Sequence, residues 1–124
     1  MDNFRIEGNT LFVDFEPFNE LEEMSRQCHF LLESDYEEIG IYFSDTVFFL
    51  GSNYIGVLMM TVEISKIKRK KLNISCTNRL GRMLSVIGGD KLTLDLRDDF
   101  VEDATKYTNP YDFIHNNNKK ISKD

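Results

Sequence analysis

The chain is poor in the residues that usually announce chemistry: two cysteines, two histidines, two prolines and no tryptophan in 124 residues. Cys28 and Cys76 lie far apart, each inside a segment patterned as regular structure. A disulfide framework is therefore not expected, and two buried thiols in a reducing compartment are. With only His29 and His115 available, a histidine-based catalytic pair or metal cluster does not assemble. His29 is expected as an ordinary, partly exposed helical residue.

Long apolar runs are missing as well. The longest candidate, Thr46 to Val62, is interrupted by Gly51, Ser52, Asn53 and Gly56, which leaves too little to span a bilayer. Met1 to Thr10 contains Asp2, Arg5 and Glu7, so no signal peptide is expected. No glycine-rich phosphate loop is present: Gly88-Gly89 suits a helix stop, and Gly51 and Gly56 do not follow a nucleotide-binding spacing. Glu37-Glu38 and Asp98-Asp99 are neighbours in sequence only, because adjacent side chains diverge on regular backbone. These gaps lead to the expectation of a cytoplasmic protein without membrane insertion, and of a non-enzyme with no catalytic residues, no metal and no cofactor.

What is present is the composition of a folded domain. The hydrophobic fraction of 41% and charged fraction of 29% are ordinary for a globular chain, and disorder would need a poorer apolar share. A domain of this length buries roughly two-thirds of the surface its unfolded chain exposes. The net charge of −6 conceals an asymmetry: residues 1–65 hold 13 acidic against 2 basic side chains, and residues 66–96 hold 2 against 8. The basic run Lys66, Lys68, Arg69, Lys70, Lys71 falls where a helix should end, and cations there complement the helix dipole. The acidic first half and the lack of interleaved aromatics argue against nucleic acid as a partner.

Periodicity divides the chain into alternating elements. Phe4 to Ile6 and Leu11 to Phe15 are strand-like around the turn residues Glu7-Gly8-Asn9-Thr10. Phe18, Leu21, Met24, Cys28 and Leu31 recur at helical spacing, predicting a helix to about Ser34. Ile39 to Phe43 reads as a central strand, and Val47 to Leu50 resumes an apolar run. Gly51-Ser52-Asn53 then signals a helix start, with Ser52 or Asn53 as the cap, predicting a helix from about Asn53 to Lys70. Its first half is apolar nearly all round, which predicts deep burial. Leu72 to Cys76 alternates as a strand. Thr77 or Asn78 can cap a short helix through Leu80, Met83, Leu84 and Ile87 that Gly88-Gly89 ends. Leu92 to Leu96 alternates as a last strand. Strands alternating with helices across residues 37–96 imply parallel βαβ units, hence an α/β fold with a mixed, mostly parallel sheet of four to five strands and packed helices. Residues 98–107 suggest a short acidic helix, and residues 108–124 a tail, so that residues 1–97 form the domain.

This order of elements resembles the STAS domain, the fold of anti-sigma factor antagonists, over roughly residues 4–97. The stretch Phe49-Leu50-Gly51-Ser52-Asn53-Tyr54-Ile55-Gly56-Val57-Leu58 occupies the place of the family's Asp-Ser-Ser-Gly-Leu-Gly loop and the helix that follows. Ser52 falls on the serine that a partner kinase phosphorylates, and Ile55, Gly56, Val57 and Leu58 match directly. Gly51, Asn53 and Tyr54 stand where the family has Asp, Ser and Gly. Leu84, Ile87, Gly88, Asp90 and Leu92 resemble the segment near the family's last strand. The resemblance implies a bacterial partner-switching regulator of transcription, docking an anti-sigma factor or kinase-like protein through Gly51, Ser52, Asn53, Tyr54, Ile55 and Gly56. It also leaves a homodimer open. The alternative is a constitutive scaffold in a stressosome-like or transporter assembly, without phosphorylation. Independently of the family, a phosphate on Ser52 would add about −1.5 to −2 charges at a helix N-terminus, where an anion is favoured. Without modification, a capping Ser52 would contribute about 1 kcal/mol to the helix.

Overall fold

The computed structural model describes residues 2–99. Strands β1 (Phe4–Glu7) and β2 (Thr10–Val13) form a hairpin, followed by α1 (Leu21–Leu32), β3 (Glu38–Phe43), α2 (Ser52–Ile67), β4 (Lys71–Thr77), α3 (Asn78–Gly88) and β5 (Leu94–Arg97). Gly8 turns the hairpin at φ 61°, a conformation that costs glycine little. The sheet runs β1-β2-β3-β4-β5 in chain order, antiparallel between β1 and β2 and parallel thereafter. The fold is therefore α/β with a mixed five-stranded sheet, as the alternating pattern implied.

Each crossover advances one strand in the same direction, so right-handed connections stack all three helices on one face of the sheet. That face is the core. Leu11, Val13, Ile39, Ile41, Phe43, Ile74 and Cys76 point into it from successive strands, against Met24 and Leu31 of α1, Leu58 and Val62 of α2, and Leu80 and Leu84 of α3. Both cysteines are buried and free.

The helix boundaries differ from the sequence pattern for local reasons. Helix α1 begins at Leu21 rather than Phe18, because Asn19 sits at φ 55° and interrupts the helical backbone. Helix α2 begins one residue early, at Ser52, with Gly51 in the cap position and no side-chain cap bond. Ser52 and Asn53 are thus inside the first turn, and neither is the cap. At its other end α2 stops at Ile67 instead of Lys70. Arg69 turns left-handed at φ 60°, its N–H donates to the Lys66 carbonyl at 3.1 Å, and that of Lys70 to the Ser65 carbonyl at 2.8 Å. This closes the helix with the two bonds of a Schellman turn. Nor is the first half of α2 buried all round: Ile55, Leu58, Thr61 and Val62 face the core, whereas Gly56 is exposed and Met60 is 64% exposed.

The basic run has a structural role. Lys70 Nζ donates to the carbonyls of Ser34 and Tyr36, and Lys68 pairs with Glu33 at 3.1 Å, so the cluster ties the α1–β3 loop to the end of α2. The hydrogen bond and charge of Lys68 hold the Glu33 carboxyl below its usual range.

Helix α3 follows β4 directly, with the Thr77 hydroxyl accepting the Leu80 N–H at 3.2 Å and Gly89 at φ 57° ending it. Asp98 is exposed, and Asp99 accepts the Arg79 N–H at 2.7 Å and so sits on the N-terminus of α3, where the dipole favours a carboxylate. The acidic helix expected over 98–107 and the tail expected over 108–124 lie, beyond Asp99, outside the described residues.

The second face of the sheet carries no helix among the described residues. Phe12 and Tyr42 meet there with ring centroids 5.2 Å apart. Arg5 lies 4.5 Å over Phe12 and Arg97 4.1 Å over Tyr42. Arg97 also donates to the Phe43 carbonyl, to Ser75 Oγ, and to Asp45 Oδ1 at 3.0 Å. Guanidinium groups thereby cover the rings and lash β5 to the end of β3 across β4.

Candidate functional site

In a parallel sheet the loops that follow the strands gather at one rim, and ligands favour that rim. Here it holds residues 14–20 after β2, residues 44–51 after β3, and the start of α2. The β3–α2 loop is pinned to its neighbour, since Ser44 Oγ donates to the Asp14 carbonyl at 2.6 Å and Thr46 Oγ1 to the same oxygen at 3.3 Å. Buried Asn3 fixes the β2–α1 loop by accepting the Phe15 N–H at 2.6 Å and donating to the Phe15 carbonyl at 2.8 Å. Val47 and Leu50 anchor the loop in the core.

Ser52 projects from this fixed frame and is exposed. Its helix starts with no side-chain cap, and the first N–H groups of a helix have no intrahelical acceptor. The six residues singled out from the sequence then separate. Ser52, Asn53 and Gly56 are exposed, and Gly51 is half-buried at the cap. Ile55 is buried in the core and so packs the domain rather than meeting a partner. Tyr54 is half-buried, and its phenol oxygen accepts the Glu20 N–H at 2.8 Å. That bond joins the N-terminus of α2 to that of α1.

Three aromatic residues that the periodic pattern drew into a strand, a helix and an apolar run, Phe15, Phe18 and Phe49, stand instead in the loops of the same rim. Phe15, Phe18 and Phe49 are 55%, 79% and 52% exposed. Phe18 borders, with Asn19, Leu21, Glu22, Asn53 and Tyr54, a hollow of about 500 Å³ beside the start of α2. Each of the three lies within two residues of Pro17 or Gly51, but each also continues a neighbouring apolar period, so the pattern drew it into an element instead of leaving it at the surface. Exposed aromatics clustered on one rim are the side chains that dominate protein–protein interfaces.

The rim offers little for covalent chemistry. Among the described residues no group of three His, Cys, Asp or Glu side chains comes close enough to hold a metal ion. Cys28 lies under the groove between α1 and α2, where burial pushes its thiol up to about 11 and a Thr61 hydrogen bond opposes only part of that shift. Cys76 is pushed up to about 11 by burial against the opposing charge of Arg97. Both stay protonated and unreactive near neutral pH. Among the described residues no helix is long and apolar enough to cross a membrane. Compared with protein families and with curated proteins, the chain matches no family model and no curated sequence.

Proposed function

We propose that this domain is a protein-binding regulatory module of the STAS type, working as an anti-sigma factor antagonist-like partner switch in which Ser52 is the phosphorylated residue. The observation that carries the reading is the position of Ser52: exposed, in the uncapped first turn of α2, on a rim it shares with Phe15, Phe18 and Phe49. The unmodified hydroxyl lets an apolar partner surface close over the rim. A phosphate at the same atom is accommodated by the domain itself, because the helix N-terminus favours an anion. It is not accommodated by a partner surface shaped for a neutral serine, since two negative charges would have to be desolvated there. Modification thus releases the partner without unfolding the domain. The order of strands, the three helices on one face and the strand-loop-helix entry at Gly51 agree with the STAS topology the sequence resembles.

The test uses the anti-sigma-like kinase encoded nearest this chain, incubated with the protein and ATP. The expected result is gain of one phosphate by mass spectrometry, lost in Ser52→Ala, with binding of that kinase weakened by Ser52→Asp. No incorporation, together with binding that ignores Ser52→Asp, would replace the switch with a constitutive scaffold.

A further inference from the structure

The sheet ends at β5, and its helix-covered face is not closed there. Leu94 and Leu96 stand beside Ile74 and Cys76 in the parallel register and share their side of the sheet. Ile74 and Cys76 are fully buried, yet Leu94 is half-buried and Leu96 is 48% exposed. Helix α3 does reach this strand, since a Cβ built on Gly81 would collide with Leu96. Leu96 therefore packs against α3 on one flank and meets solvent on the other.

The chain leaving β5 is directed to that open flank. Strands β2, β3 and β4 are each followed by a helix on this face, and a right-handed crossover after β5 would place the next one beside α3, over β5 itself. Asp99 accepts the Arg79 N–H at 2.7 Å and lies 3.8 Å from Arg82. The main chain is thus held at the N-terminus of α3, on the covered side of the sheet, where residue 100 begins. The opposite face is already occupied at this edge, because Arg97 lies over the Tyr42 ring.

The residues that follow suit the patch. Phe100, Val101, Ala104 and Tyr107 recur at helical spacing, and Pro110 sets the limit of a helix, since the residue before a proline avoids helical backbone. Residues 100–107 would extend about 12 Å as a helix, against about 7 Å between Leu94 and Leu96 along the strand. The helical phase agrees as well. With Asp99 turned toward α3, Phe100 and Ala104 come about a quarter-turn round, toward the sheet. Asp103, one turn after Asp99, stays on the flank facing α3. Arg82 there is 69% exposed, and its guanidinium has donors for a second carboxylate.

We propose that residues 100–107 fold back beside α3 as a helix that covers Leu94 and Leu96 at the β5 edge. Phe100 and Ala104 seat on the two leucines, and Asp103 pairs with Arg82. The fourth helix closes the apolar edge of the sheet in cis, and it does so independently of any role for Ser52.

The test uses the full chain, whose lack of tryptophan makes Phe100→Trp a single reporter. Its emission is expected to lie to the blue of the urea-unfolded protein and to resist acrylamide quenching. Leu96→Asp in the same chain is expected to return both readings to their unfolded values, with the amide spectrum of β2 to β4 preserved. A second measurement keeps Leu96 and so decides even where Leu96→Asp unfolds the protein: Phe100→Ser is expected to shift the amides of Ser85, Leu94 and Leu96. An exposed tryptophan, or amides that ignore Phe100→Ser, would overturn the proposal. Shifts at Arg5, Phe12 and Tyr42 instead would place the segment on the opposite face and overturn it equally. So would Leu94 and Leu96 amides that move with protein concentration, which would give the edge to a second copy.

Discussion

The Tyr54 phenol oxygen and the Glu20 backbone N–H meet at 2.8 Å, and this one bond couples the first turns of the two helices that border the groove. Glu20 occupies the cap position of α1, and its N–H would otherwise face solvent at the rim. Tyr54→Phe keeps the ring and removes the acceptor. The expected loss is about 1 kcal/mol, measured by urea unfolding, with faster amide exchange confined to the N-terminal turns of α1 and α2. A uniform change across the protein would contradict the local role assigned to the bond.

Arg69 holds the left-handed position that ends α2, and a residue with a Cβ is strained there by roughly 1–2 kcal/mol. Arg69→Gly is expected to stabilise the domain by about 1 kcal/mol despite the glycine's extra freedom when unfolded. Thermal melts of the two proteins decide the sign.

Thr77→Ala removes the hydroxyl that caps α3. The expected cost is about 1–2 kcal/mol because the site is fully buried and the Leu80 N–H loses its only side-chain acceptor. Thr77→Ser should restore most of that loss in the same denaturant titration.

The two thiols predict an alkaline limit. Their pKa lies at about 11 in the folded chain against 9.0 for a free thiol. A group whose folded pKa is raised contributes stability below its unfolded pKa and loses it as pH climbs through the folded one. Unfolding free energy should therefore decline from about pH 9 to about pH 11, less steeply in Cys28→Ala and Cys76→Ala. At pH 8 iodoacetamide should label neither thiol until urea is added.

Gly56→Ala fills open space at an exposed helix position. The isolated domain should gain up to about 1 kcal/mol, read as a higher melting temperature.

The sequence pattern located the five strands and the three α-helices of the described residues because period and composition act locally. The alternation of Leu11 and Val13 and the helical spacing of Met24, Cys28 and Leu31 are also the core positions of the folded chain. The errors cluster where one residue decides. Asn19 and Arg69 adopt left-handed backbone that neither residue type requires, so the ends of α1 and α2 were drawn too long. The buried circumference of α2 was overestimated because the identities of Gly56 and Met60 say nothing of which neighbour is missing. At the rim, the start of α2 was legible to within one residue from Gly51-Ser52-Asn53 before an apolar run. Tyr54 was not, since its bond to Glu20 joins residues 34 positions apart and only the packing of α1 against α2 brings them together. The Arg97 brace across the second face escaped notice for the same reason.

The one-sided placement of the helices divides labour within the domain. Cohesion comes from the covered side, where a lost methyl group is felt throughout, whereas the loop tips and the outer surfaces of α1 and α2 contribute little to it. Residues such as Phe18, Phe49 and Met60 can therefore be exchanged with little thermodynamic consequence for the scaffold, and a chain of this design can vary its outer surface faster than its architecture.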